Sequence, residues 1–159
     1  MSGSLRDHAG VFVPPPLLFA MPMVAAAMLD SRRPWPIDRG HSLAVQFGGA
    51  FMIAAGIAIG MASVYSFRKA STTILPAGRP TTAIVASGPY RFTRNPMYVA
   101  MACAYLGVSL LLNTVWALLL LPLVVIVVDL WVIRREERYL TAKFGEPYRH
   151  YCARVRRWL

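Results

Sequence analysis

The sequence predicts an all-α integral membrane protein, with about four membrane-spanning helices followed by helices on the cytoplasmic side. Three observations lead there. Long stretches carry no charge, basic residues concentrate in alternate connections, and helix-starting and helix-stopping residues sit at the junctions. The composition agrees: 57% hydrophobic and 15% charged residues is apolar for a soluble chain of 159 residues. A length of this order suits a single domain.

Val11–Leu29 has no charged residue. Pro14-Pro15-Pro16 near its start and the weak basic character before it argue against a cleaved leader and for a first spanning helix beginning near Pro16. Asp30–His41 follows as a short extracytoplasmic loop, in which Trp35 fits an interfacial anchor. Leu43–Phe67, the second span, is also free of charge. Its Gly56 and Gly60 form a small-xxx-small pair that suits either close packing inside the protein or a dimer face.

Arg68–Pro96 is the one long polar connection, and a connection of that length usually organises a ligand or carries function. Asn95-Pro96 reads as an N-cap followed by proline in the first helical position. Met97–Leu112 is the third span; it is short for a hydrocarbon core of about 30 Å. Counting from Pro96 lengthens it slightly. Asn113-Thr114 turns the chain into the fourth span, Val115–Ile133, where Pro122 predicts a kink. Asp129 is the only charge in that span. A carboxylate there is either paired with an arginine near the membrane end or part of the chemistry. Arg134–Lys143 continues the fourth helix beyond the membrane. Gly145 stops it, and Pro147 starts a last, membrane-surface helix over Pro147–Leu159.

The net charge of +10 is unevenly placed. With four spans, only Arg32, Arg33 and Arg39 fall on one side; the other basic residues lie in the N-terminus, the second connection and the tail. The positive-inside rule puts those segments, both termini included, in the cytoplasm. Basic residues beside anionic headgroups account for the charge without a nucleic-acid partner. Cys103 and Cys152 suggest neither a disulfide framework nor a metal site, and His8, His41 and His150 have no ligand spacing.

The chemistry concentrates at two places. One is Gly88-Pro89-Tyr90-Arg91, running on to Arg94-Asn95-Pro96-Met97-Tyr98. The other is Arg134-Arg135-Glu136-Glu137, followed by Phe144-Gly145-Glu146 with Tyr148 and Tyr151. The first joins a helix N-terminus to arginines and tyrosines, a setting for an anionic, aromatic-bearing ligand. Together, from about Thr81 to Val155, these segments resemble the superfamily of isoprenylcysteine carboxyl methyltransferases and phospholipid methyltransferases. Those are integral membrane enzymes that use S-adenosylmethionine.

The resemblance implies a cofactor region over 81–98 and 134–155, with S-adenosylmethionine held by Ala83, Ile84, Val85, Tyr90, Arg94, Asn95, Pro96, Met97, Tyr98 and Glu136. Glu136 would accept from the cofactor amino group; surface pairing is its other reading. Thr81–Val85 would line the cofactor with backbone groups, or else lie on the membrane surface. Tyr98 would touch the cofactor or simply pack its helix. Arg134 or Arg135 would hold a carboxylate acceptor. Glu137 would be a base for an amine acceptor, or a solvated partner of Arg134 three residues earlier.

Asn95 stands where the carboxyl methyltransferases commonly have His, and Val132 replaces their arginine. The acceptor therefore stays open between a prenylated cysteine carboxylate, a phospholipid amine and another hydrophobic molecule. A membrane scaffold that keeps the fold without catalysis is the competing reading. A small transporter is disfavoured by spans almost free of polar residues.

Overall fold

The computed structural model describes residues 14–70 and 83–159. The expectations on Val11–Val13 and Thr81-Thr82 lie outside the described residues. Among the described residues six α-helices follow one another: α1 Pro15–Arg32, α2 Leu43–Lys69, α3 Pro96–Leu111, α4 Val115–Val127, α5 Arg134–Phe144 and α6 Glu146–Arg154. A 3₁₀ turn, Gly88–Arg91, precedes α3, and a π-helical segment, Val128–Ile133, joins α4 to α5. No strand occurs among the described residues.

Among the described residues two helical stretches are long and apolar enough to cross a membrane: α2, and the continuous rod Val115–Phe144. α3 is apolar but shorter. Phe47, Phe51, Ile57, Met61 and Tyr65 on α2 are exposed, as are Leu119, Leu123 and Ile126 on α4. Exposed apolar surface this extensive suits contact with lipid or with another protein surface. The chain runs on helically through Pro122 within α4.

α2 and α3 approach each other closely along one seam. A Cβ placed on Gly107 would come within 2.6 Å of the Gly49 carbonyl oxygen and 2.9 Å of the Ile53 nitrogen. One on Gly56 would lie 2.7 Å from the Ala100 carbonyl oxygen. Glycine is required here because backbone meets backbone, the packing mode of helices in lipid. Of the expected Gly56–Gly60 pair, Gly56 sits in this seam, while a Cβ on Gly60 would make only ordinary contact with Ala100, at 3.7 Å. Gly107→Ala is expected to force the helices apart and destabilise the protein by about 1–3 kcal/mol, as overpacking does. Thermal unfolding in detergent checks this, and an unchanged midpoint would show that the seam can yield.

The opposite ends of the bundle are tied differently. At one end Trp35, Pro36 and Ile37 run beside Asn113–Val115. The Val115 amide donates to the Trp35 carbonyl at 2.9 Å, and Asn113 Nδ2 donates to the Asp38 carbonyl at 2.7 Å. Thr114, almost fully buried, donates from Oγ1 to Asp30 at 2.8 Å. The Trp35 and Trp116 rings meet edge to face at 5.4 Å. The first connection and the α3–α4 turn thus share one end, as an alternating path through the bundle requires. The motif residues and the tail share the other.

The tail departs from expectation. The last helix stops at Arg154, not at Leu159. Val155 is extended, and Arg156 pairs with Thr93 in a single parallel bridge. The reason is the partner: the Arg94 amide donates to the Arg156 carbonyl at 2.9 Å, a bond that a helical continuation would forgo.

Candidate active site

Local sequence builds the site in two halves. Gly88 has a φ of +60°, and a Cβ there would collide with Ser66 Oγ, so the turn into the 3₁₀ segment needs glycine. That turn buries Tyr90 edge-on against Phe67 of α2, with ring centroids 5.3 Å apart. Asn95 then precedes α3, as its sequence position implies, but its side chain does not cap the helix. The Asn95 carbonyl accepts from the Tyr98 and Val99 amides, while Nδ2 reaches the Arg157 carbonyl at 3.0 Å. Thr93 is buried; its Oγ1 donates to the same Arg157 carbonyl at 3.0 Å and accepts from the Asn95 amide at 3.1 Å.

The second half comes from the rod. The π-helical segment adds residues to its turns and so resets which faces of α5 meet the bundle. Glu136 turns to α3, where the Tyr98 hydroxyl donates to its Oε1 at 3.0 Å. Tyr98 itself is buried. Glu136 is partly buried, and among the described residues Tyr98 is its one hydrogen-bond partner and no cation pairs with it. Tyr90 lies within the same electrostatic neighbourhood. Burial chiefly, then the nearby Tyr151 and Glu136, raises its hydroxyl above the ordinary tyrosine range.

Glu137, one residue on, has the opposite surroundings. Arg157 grips it with two bonds, Nη2 to Oε2 at 2.6 Å and Nε to Oε1 at 3.1 Å. Arg94 Nη2 reaches Oε1 at 3.0 Å. The expected partner of Glu137, Arg134, instead faces Asp129 at 3.4 Å. The reason is the tail, whose return brings Arg157 to Glu137. Asp129 also takes Arg157 Nη1 at 3.4 Å and the Trp158 indole N–H at 3.0 Å. It is thus structurally paired, by arginines beyond the apolar run. Asp129, Glu137, Arg94 and Arg157 form one brace between the rod, the motif and the tail.

Among the other expected site residues, Val85 and Pro96 are buried, Ile84 and Met97 are partly buried, and Ala83 stands at a bend before them. Arg135 is exposed. Arg94 Nη1 reaches the Cys152 carbonyl at 3.4 Å, while its buried Nε has no hydrogen-bond partner among the described residues. Tyr151 closes the assembly by donating to the Tyr90 carbonyl at 2.8 Å. Thr93, Arg157 and Trp158 escaped the sequence reading. A Thr inside the Arg-x-x-Arg-Asn-Pro motif was the only signal for the first, and the tail residues gave none beyond charge and aromaticity.

Residues 44–147 match the model of the phospholipid methyltransferase family. The chain belongs to that family. The family implies methyl transfer, and with the apolar helices it implies a membrane protein. A protein of Haemophilus influenzae described as uncharacterized is 40% identical over 63 residues, which is 40% of this chain and all of that one. The cobalt-zinc-cadmium resistance protein CzcN of Cupriavidus metallidurans is 28% identical over 109 residues, 67% of this chain and 49% of its own length. The chain thus spans about half the length of the Cupriavidus relative. No solved structure matches.

Proposed function

We propose that this phospholipid methyltransferase family member is an integral membrane S-adenosylmethionine-dependent methyltransferase acting on a lipid or other hydrophobic acceptor. Glu136 carries the reading. In a chain with 17 Lys and Arg against 7 Asp and Glu, a partly buried carboxylate with a tyrosine hydroxyl but no cation is costly unless a cationic ligand completes it. The α-amino group of S-adenosylmethionine has that charge. Arg94 Nε is the complementary orphan, a buried donor that an incoming carboxylate would satisfy.

When bound, the cofactor supplies an electrophilic methyl group on a sulfonium that is already a good leaving group. The residues of this chain do the rest by positioning. Glu136 holds the amino end, oriented by the Tyr98 hydroxyl. The first turn of α3 offers the positive end of its dipole to the carboxylate. Tyr90 and Tyr98 supply aromatic surface for adenine and sulfonium. Val85, Pro96 and Tyr151 wall the region from water. Orientation of donor and acceptor is worth several kcal/mol of barrier.

Glu137, with both oxygens held by arginines, is poorly placed to act as a base, which favours an acceptor needing no strong base from this residue. Within the same reading, the motif end of the bundle, with its basic residues, faces the cytoplasm, and α1 and α3 complete a four-helix membrane bundle. An acceptor with acyl chains enters from the bilayer, between helices.

Titration of the detergent-purified protein with S-adenosylmethionine, followed by transfer of labelled methyl to a panel of membrane lipids, tests this. Binding with labelled lipid product is the expected result. No binding by folded protein would leave a scaffold that has kept the family fold.

A further inference from the structure

On the face of α5 that carries Glu137 and not the Tyr98–Glu136 contact, an open cleft of about 740 Å³ is lined by Leu130, Arg134, Glu137, Arg138, Thr141, Ala142, Arg149 and Arg157. Four guanidiniums face one carboxylate, and that carboxylate already has both oxygens engaged by Arg94 and Arg157. Arg138 has no ion pair among the described residues; its Nε donates to the Arg134 carbonyl, at 3.3 Å, which leaves the outer nitrogens to the cleft. Arg149 is held, among the described residues, only by the exposed Glu146. One end of the cleft is Leu130, beside exposed Trp131, where the apolar rod ends. The basic walls therefore stand directly above lipid-facing surface.

We infer that this cleft is a binding site for the phosphate of an anionic phospholipid, distinct from the Tyr98–Glu136 site. Guanidinium forks match phosphate oxygens in pairs, with Thr141 as a further hydroxyl beside them. Basic pockets at the membrane surface take lipid headgroups in this way. The acyl chains pass over Leu130 and Trp131 into the bilayer. The site has a consequence for the brace, because Arg134 and Arg157 line the cleft and also hold Asp129 and Glu137. The inference stands whether or not the chain transfers methyl groups.

The test is native mass spectrometry of the full chain, purified in detergent and titrated with phosphatidylglycerol. Diacylglycerol of the same chains and inorganic phosphate are the comparators. Arg138→Gln with Arg149→Gln is the test pair, since both residues are exposed and neither touches Asp129 or Glu137. The expected loss of bound phosphatidylglycerol is roughly tenfold, as for two charge-assisted contacts at an accessible site. Arg154→Gln with Arg156→Gln removes the same charge outside the cleft and should retain binding. Equal loss in both pairs would reduce the effect to general surface charge and overturn the site. So would unchanged binding in the first pair, or diacylglycerol binding as well as phosphatidylglycerol. Inorganic phosphate that displaces the lipid completely would assign the cleft to free phosphate and overturn the lipid assignment.

Discussion

Glu136→Gln should weaken binding of S-adenosylmethionine by roughly 10- to 100-fold, the range for loss of a charge-assisted hydrogen bond of about 1.5–3 kcal/mol. The substitution keeps the shape of the side chain, and its amide oxygen can still accept from Tyr98. What disappears is the charge. The same substitution should leave the unfolding temperature unchanged or raise it, because a partly buried carboxylate without a cation costs stability in the free protein. That combination separates a ligand group from a structural one. Calorimetry and thermal unfolding on one preparation give both numbers. Normal affinity would remove Glu136 from the site, and a large fall in the unfolding temperature would make it a packing residue.

Arg157→Met should have the largest effect on stability. It deprives Glu137 of two hydrogen bonds and Asp129 of an ion pair. Loss of one partner of a buried pair costs about 3–5 kcal/mol, and the side chain of Arg157 is 31% exposed, so solvent screening brings the expectation to about 2–4 kcal/mol. Arg157→Lys should recover only part of this, since an ammonium cannot reproduce the two-pronged contact with Glu137. The double variant Arg157→Met with Glu137→Gln should lose less than the sum of the single losses, because the two residues are directly coupled. Strict additivity in denaturant or thermal unfolding would mean that the contact contributes little.

The legible parts of the fold were those where one residue's chemistry decides the backbone. Lipid demands uninterrupted apolar sequence, so α2 and the fourth helix were bounded closely from charge alone. Pro96 set the first residue of α3, and Gly145, with a φ of +59°, stopped α5 one residue after Phe144. The contact between Tyr98 and Glu136 joins two residues expected to serve one ligand, although no spacing rule relates positions 98 and 136.

Other features had no local signature. The π-helical segment Val128–Ile133 consists of ordinary apolar residues around Asp129, and nothing in them distinguishes it from α-helix. The partners of Glu137 lack a local signature for a different reason. Arg134 is near in sequence, but the tail and the motif loop deliver Arg157 and Arg94 from far away. With so many arginines, charge alone cannot choose among them; only the returning backbone does. The side chain of Asn95 illustrates the same competition, since its amide serves the Arg157 carbonyl rather than the helix it precedes.

The dependence of Thr93 and Asn95 on the Arg157 carbonyl also fixes an order of events during biosynthesis. The ribosome makes the motif long before Arg157, and the intervening chain includes α3 and the whole rod. A nascent chain can thread its apolar segments into the bilayer while the loop ahead of α3 still lacks the partners that hold it. The loop that carries Thr93 and Asn95 is then secured late, by closure of the tail onto the helices that precede it. A chain released before Arg156 would lack the carbonyls to which Thr93, Asn95 and the Arg94 amide are tied, so the distal segment, rather than the apolar helices, decides when the motif loop is secured.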